Sequence, residues 1–358
     1  MSTTIETKVS ESIRLTQYSH GAGCGCKIAP QVLDKILHSS IVLPTDENLL
    51  VGNSSRDDAA VYNIGNGQAL ISTTDFFMPI VDDPFQFGCI ASANAISDVY
   101  AMGGRPILAI AILGWPLDKL SPDIAQQVLE GSRHICKQAG ISLAGGHSID
   151  APEPIFGLAV NGLVAHEHLK QNNTAQEGDL LFLTKRIGVG ILTTAEKKGI
   201  LQNDHIGLAA EQMMQLNSIG LQLSRFNSVS AMTDVTGFGL LGHLKEICDG
   251  SNLSATIALS SIPLICENLN EYIMQQAVPG GTNRNWAGYG KDVQLEAGID
   301  ESIAIPILAD PQTSGGLLIC VKANDSSEII DLLTTYNMHT EPIGYLEKRK
   351  EKSIIVID

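Results

Sequence analysis

The chain reads as an α+β protein of two α/β-layered domains behind a mobile, glycine-rich N-terminal segment. Three features predict this class. Helical and strand periodicities alternate along both halves. A polar, turn-rich stretch at 167–178 separates the halves, and the pattern restarts after it. The length of 358 residues suits two domains, and 44% hydrophobic against 17% charged residues supplies apolar surface for their cores and excludes global disorder. The expected division is 1–27 as a mobile loop, 28–168 as one α+β domain and 169–358 as the other.

Taken in order, Ile28, Val32, Leu33, Ile36 and Leu37 fall at helical spacing, with Pro30 in the first turn. Residues 61–64 and 69–72 read as strands joined by the turn Gly65-Asn66-Gly67. A helix follows over 85–102, where Ala91, Ser92, Ala93 and Ala95 would admit a close neighbour. Next come a buried strand at 107–113, a helix at 122–138 closed by Gly140, and strands at 141–143 and 158–164. The second half opens with a strand at 180–183 and helices at 190–198, 206–226 and 237–248. A Gly- and Asn-rich loop at 277–290 precedes strands at 303–308 and 317–321, a helix at 327–336 and a strand at 353–357.

A net charge of −16 argues against a general nucleic-acid or membrane-surface binder, and 5% aromatic residues argue against a base-stacking surface. An acidic protein that holds an anion such as a nucleotide needs divalent cations, local Lys or Arg, or oriented backbone N–H groups. Cys89, Cys136, Cys248, Cys266 and Cys320 are scattered among apolar residues as inert core thiols, a usage that suits a reducing cytoplasm. No run of roughly 18 apolar residues is available to cross a bilayer, and the N-terminus does not resemble a signal peptide. A cytoplasmic protein is expected.

Cys24 and Cys26 stand apart. They lie in Gly21-Ala22-Gly23-Cys24-Gly25-Cys26-Lys27, just behind His20. Glycines let such a segment fold over a small substrate and swing as a lid. Lys27 favours thiolate, the reactive form. A flexible arm with incidental cysteines is the plainer reading. His20, Cys24 and Cys26 could also hold zinc, although no second ligand pair stands at finger-like spacing. Asp57, Asp58, Asp75, Asp98, Asp234 and Asp310 fall at expected strand ends or helix starts. A helix cap or a solvated turn explains any one of them; together they point to carboxylates sharing Mg2+ with a polyphosphate. Gly145-Gly146-His147-Ser148 offers backbone N–H groups and a hydroxyl to phosphate, or simply a tight turn. Neither a Walker A nor a GxGxxG pattern is present.

Several runs extend this reading: Leu15-Thr16-Gln17-Tyr18-Ser19-His20 leading into the cysteine segment, Arg56-Asp57-Asp58-Ala59-Ala60-Val61, Thr74-Asp75-Phe76-Phe77 and Asn94-Ala95-Ile96-Ser97-Asp98-Val99. To these add Ala144-Gly145-Gly146-His147-Ser148, Thr233-Asp234-Val235-Thr236-Gly237-Phe238-Gly239, Pro279-Gly280-Gly281-Thr282 and Asp310-Pro311-Gln312-Thr313-Ser314-Gly315-Gly316. With these runs the chain resembles the selenophosphate synthetases, or selenide, water dikinases, of the aminoimidazole ribonucleotide synthetase-like superfamily. The resemblance implies that superfamily's two-domain fold. It also implies a reaction of ATP, selenide and water that gives selenophosphate, AMP and orthophosphate, the first serving as selenium donor for selenocysteine and selenouridine. By motif it implies Cys24 and Lys27 as catalytic residues and Asp58, Asp98 and Asp234 as Mg2+ ligands. Nucleotide contacts are implied at Lys27, Ser55, Arg56, Asp57, Asp75, Asp98, Gly146, His147 and Ser148. A homodimer is implied too, with nucleotide held between domains and near the partner, and with no nucleic-acid or membrane partner.

Overall fold

A computed structural model describes residues 13–28, 30–38, 46–52 and 57–358. Ser55, Arg56 and the first twelve residues lie outside the described residues. The first half contains α1 (Pro30–Leu37), β1 (Leu49–Val51), β2 (Ala60–Gly65), β3 (Gln68–Phe77), α2 (Pro84–Ala101), β4 (Arg105–Trp115), α3 (Pro122–Gln138), β5 (Ser142–Asp150) and β6 (Ile155–Ala165). Its strands form a sheet of order β1-β2-β3-β6-β4-β5, antiparallel except for the β4–β5 pair. Alternation gives that sheet two faces. On β3, Ala69, Ile71 and Phe77 are buried, Thr73 and Asp75 share their face, and Ser72, Thr74 and Phe76 point the other way.

Helix α2 starts where the Asp83 carboxylate accepts the Gln86 N–H at 2.7 Å, with Pro84 in the first turn. Every residue from Phe87 to Ala101 is buried. Small residues make that possible. A Cβ on Gly88 would stand 1.8 Å from the Val128 carbonyl, and one on Gly131 2.0 Å from the Phe85 carbonyl, so α2 and α3 touch through their backbones.

The second half contains β7 (Asp179–Leu183), α4 (Val189–Lys197), α5 (Leu208–Met213), α6 (Gly220–Leu223), β8 (Val229–Asp234), α7 (Gly239–Gly250), β9 (Leu253–Ala258) and α8 (Leu269–Met274). It continues with α9 (Gly280–Tyr289), β10 (Val293–Leu295), α10 (Glu301–Leu308), β11 (Leu317–Lys322), α11 (Ser326–Thr335), β12 (Gly344–Lys348) and β13 (Ile354–Ile357). These strands form a mixed sheet of order β10-β13-β9-β12-β7-β11-β8. Its edge strand β8 ends on Asp234, opposite Leu317 of β11. Helix α2 packs on β3 and β6 and also reaches β8, α5 and α6, so it joins the two halves. No helix among the described residues is long and apolar enough to cross a membrane.

Several expectations are corrected. Residues 206–226 are not one helix. Asn217, between α5 and α6, donates its amide to Ser97 Oγ and to the Gly315 carbonyl, each at 2.8 Å, and the chain turns there. The expected loop at 277–290 holds α9, because Asn285 donates to the carbonyls of Gly237 (2.9 Å) and Ala309 (3.1 Å) and Tyr289 to that of Phe238 (2.8 Å). Tertiary bonds override weak helix propensity there. The expected strand at 303–308 is α10, started by the Asp300 carboxylate on the Ser302 N–H at 2.9 Å. The strand at 141–143 does not stop at its glycines: β5 runs through Gly145-Gly146 with an irregularity in its pairing to β4. Helix α1 forms as expected, and Ile28, Val32 and Ile36 are exposed.

Candidate active site

The cysteine segment lies closed in the cleft between the halves. The Gly23 N–H donates to the Met78 carbonyl (3.0 Å), the Cys24 N–H to Thr313 Oγ1 (3.0 Å), and Arg284 Nη2 to the Gly25 carbonyl (2.6 Å). Gly237 is required beneath it, since a Cβ there would stand 2.4 Å from the Cys24 carbonyl. Cys24 is 2% exposed, and its Sγ–H donates to Asn94 Oδ1 at 3.2 Å. Burial, and after it Asp75, push the thiol well above its ordinary pKa against the pull of Lys27. Desolvation therefore outweighs the lysine, and burial disfavours the thiolate that Lys27 alone would favour.

Asn94 and Thr313 are site residues that sequence reasoning did not single out. The Asn94 amide N–H donates to Asp75, and its Oδ1 also accepts the Ser314 N–H at 2.8 Å. The available signal was its position four residues before Asp98, on one face of α2.

The carboxylates converge from both halves. Asp98 on α2 accepts the Thr73 hydroxyl at 2.5 Å, and Asp58 accepts the Thr233 hydroxyl of β8 at 2.8 Å. Asp234 is 2% exposed and takes a hydrogen bond from Ser97. Oδ2 of Asp58 and Oδ2 of Asp234 are buried with no hydrogen-bond partner. Burial raises the pKa of all three, and the charge of Asp234 raises Asp58 and Asp98 further. Lys27 stands in an open cleft: water reaches its side chain, while protein surrounds it closely enough to disfavour the charge. The negative charges of Asp75, Asp98 and Asp234 more than offset that cost and raise its pKa. Its Nζ lies 5.8 Å from the centre of the Phe238 ring. Cys24, Lys27, Asp75, Phe76, Phe77 and Met78 line a cavity of about 190 Å³ between the flap and β3.

Among the described residues no group of three or more His, Cys, Asp or Glu side chains is arranged to hold a metal ion unaided. The bare oxygens of Asp58 and Asp234, and the repulsion within the cluster, suit a hard cation that takes its remaining ligands from a bound phosphate. The zinc alternative finds its donors engaged elsewhere. His20 is exposed with Nδ1 2.8 Å from Glu153, and Cys24 is held by Asn94.

Asp57 and Asp310 are each tied to backbone N–H groups. Asp57 accepts the backbone N–H of Asp58 at 3.1 Å and of Asn172 at 3.3 Å, and burial pushes it up to about 7. Asp310 accepts the Gly190 N–H at the start of α4 at 2.9 Å, and burial pushes it up to about 8. Gly146, His147 and Ser148 are exposed on the edge strand β5. Gly146, Ala111, Leu158 and Asp75 form one row across β5, β4, β6 and β3, so Gly146 stands three strand spacings, about 14 Å, from Asp75. His147 lies in the row of Phe76 and shares its outward face. On its own chain this run stands apart from Asp75.

Residues 56–164 match the AIR synthase related protein N-terminal domain, and residues 176–357 match the C-terminal domain of the same proteins. A selenide, water dikinase of Yersinia pseudotuberculosis is 58% identical over 97% of this chain and 98% of its own. One of Aeromonas salmonicida is 59% identical over 94% of this chain and 96% of its own. Thiamine-monophosphate kinase from Stenotrophomonas maltophilia superposes with a TM-score of 0.63 at 20% identity, covering 87% of this chain and 91% of that one. Hydrogenase maturation protein HypE in complex with ATP gives 0.62 at 16% identity, covering 87% and 86%. These two share the fold. The two-domain architecture is thus that of the AIR synthase related proteins. Within them the chain belongs to the selenide, water dikinase family, and its reaction is the synthesis of selenophosphate from selenide, ATP and water.

Proposed function

We propose that this reaction runs in the cleft beneath the closed flap, on ATP carried with Mg2+. One observation carries the reading: Asp58 and Asp234 each keep a bare, buried oxygen in the cleft where Cys24 and Lys27 line one cavity with Asp75. Asp58, Asp98 and Asp234 would hold the ion, which when bound neutralises and aligns the polyphosphate. Lys27 directs its charge at the transferred phosphoryl group or at the selenide anion. Asp57 and Asp75, with Ser55 and Arg56, complete the proposed nucleotide contacts. The cavity beside Cys24 suits a small, polarizable selenium anion, between an ammonium and the walls made by Phe77 and Met78. With the flap shut, Cys24 shields selenium and the first transfer from water. Phosphorus NMR with ATP, Mg2+ and selenide tests this. A resonance split by selenium, growing with AMP, is expected; AMP or ADP formed without it would overturn the reading.

The same proposal includes a homodimer in a reducing cytoplasm, where the described cysteines, all free, would stay so. Phe76, Leu108, Ile110 and Ile149 are 51%, 37%, 42% and 59% exposed on the outward face of the first sheet. Covering side chains of this kind fully is worth roughly 1.5–3 kcal/mol each, and contiguous apolar faces mark association sites. A second copy on this face would also bring the exposed Gly146-His147-Ser148 run toward the nucleotide of its partner. Ile110→Asp is expected to shift the sedimenting species from a dimer to the 38.2 kDa of one chain and to weaken ATP binding. A wild-type protein that sediments as one chain at micromolar concentration would overturn it.

A further inference from the structure

Lys185, just beyond β7, is 5% exposed, and nothing in the chemistry above uses it. Its Nζ donates to the carbonyls of Gln215 at 2.7 Å and Ser314 at 2.8 Å. An ammonium withdrawn from water is costly. Burial pushes its pKa down to about 7, and Asp234 pulls it only partly back. The position of Ser314 explains what the lysine does. Ser314 has φ +49°, the left-handed region that residues with a Cβ avoid. It is held from both sides, its carbonyl by Lys185 and its N–H by Asn94 Oδ1. Asn94 accepts the Cys24 Sγ–H at the same oxygen, and Thr313, the preceding residue, accepts the Cys24 N–H.

We propose that Lys185 is a positioning residue for the reaction: by pinning the Ser314 carbonyl it holds the strained 313–314 segment in the shape that, through Asn94 and Thr313, seats Cys24 in the closed flap. The proposal rests on the flap reading of Cys24. Among the described residues Lys185 donates to the Gln215 and Ser314 carbonyls and to no flap residue, so its effect reaches the thiol through two intervening residues. Lys170 is an internal control. It is also buried (7% exposed) and donates to two carbonyls, Phe226 at 3.1 Å and Val229 at 2.7 Å, but at the end of β8 away from Asp234.

The experiment compares Lys185→Met and Lys170→Met in the full chain. It reads kcat and KM for ATP in selenide-dependent AMP formation, the melting temperature, and the rate at which iodoacetamide labels Cys24 by peptide mapping. Both variants are expected to melt lower. Only Lys185→Met is expected to lose about tenfold or more in kcat, the scale of a displaced reacting group, and to label Cys24 several-fold faster. Its KM for ATP stays within about twofold, since nucleotide binding is left intact. If Lys185→Met does not fold, Lys185→Gln is measured in the same way. Unchanged kcat and labelling at position 185, or an equal loss of kcat in Lys170→Met, would overturn the proposal. Cys24→Ser separates it from the reading beneath it. Full activity in Cys24→Ser sinks the flap reading; an inactive Cys24→Ser beside a fully active Lys185→Met sinks only the role of Lys185.

Discussion

Lys27→Ala lowers selenide-dependent AMP formation by about 10²–10³-fold, or about 3–4 kcal/mol, the loss that follows removal of one preorganised charge aimed at a transferring group. The physical ground is the imbalance of charge in the cleft. Asp75, Asp98 and Asp234 all act on Lys27, and it is the ammonium that pulls the Cys24 thiol down against burial. Without it, anionic phosphate and anionic selenide face carboxylates and a thiol still more firmly protonated. The fold does not depend on it, because water reaches the Lys27 side chain and the cores lie elsewhere. Circular dichroism should therefore show a folded protein beside the lost activity, its melting temperature lowered because Asp75, Asp98 and Asp234 lose their countercharge. Cys24→Ser should likewise abolish selenophosphate formation with the fold intact, since a hydroxyl can still donate to Asn94. Lys27→Arg recovers only part of the rate, because a planar guanidinium does not replace a compact ammonium in so small a cavity. A Lys27→Ala rate within about threefold of wild type would remove the lysine from the chemistry.

The chemistry of this site was legible where it is local in the chain. Two thiols and a lysine among glycines single out the segment that packs against Asn94 and Thr313, and the aspartates at expected strand ends single out Asp58, Asp98 and Asp234, which come together. Ser97 and Asp98 on α2 come up to Asp234 at the end of β8, Ser97 donating to the Asp234 carboxylate. Long helices with proline starts were legible too: α3 occupies the expected 122–138. What sequence hides is partnership across distance. Asn94 and Thr313 bind Cys24 from 70 and 289 residues away, and no periodicity encodes that. For the same reason α9 looked like a loop, its Asn285 serving as an anchor rather than a turn residue. The isoleucine-rich α10 looked like a strand because a short apolar run has no period of its own. Lys27 does pull the Cys24 thiol down, and burial, which a linear reading cannot see, outweighs it.

Asp58→Asn gives the opposite pair of effects: activity lost by orders of magnitude, and a metal-free protein that melts higher. The amide keeps the acceptor for Thr233 and removes one of the like charges crowding Asp234 and Asp98. A gain of about 1 kcal/mol corresponds to about 2–4 °C in a domain of this size. The sign with pH follows from linkage. Asp58, Asp98 and Asp234 have pKa values raised from 3.8, and Asp57 is raised to about 7, so folding takes up protons between those limits. Stability from these groups is full below about pH 4 and declines as pH rises through their folded pKa values. Lys185 and His339 run the other way, their pKa values being lowered, but Lys185 acts only between about 7 and 10.5. Measured from pH 5.5 to 7, the metal-free wild type should therefore lose melting temperature, and Asp58→Asn should lose less. Mg2+ with ATP should restore more at pH 7 than at pH 5.5, because the ion binds the ionised carboxylates. Chelation should cancel that gain in wild type and change little in Asp58→Asn. A wild type that melts higher at pH 7 than at pH 5.5 without Mg2+, or an Asp58→Asn protein that keeps its activity, would mean that the carboxylates are not the cation site.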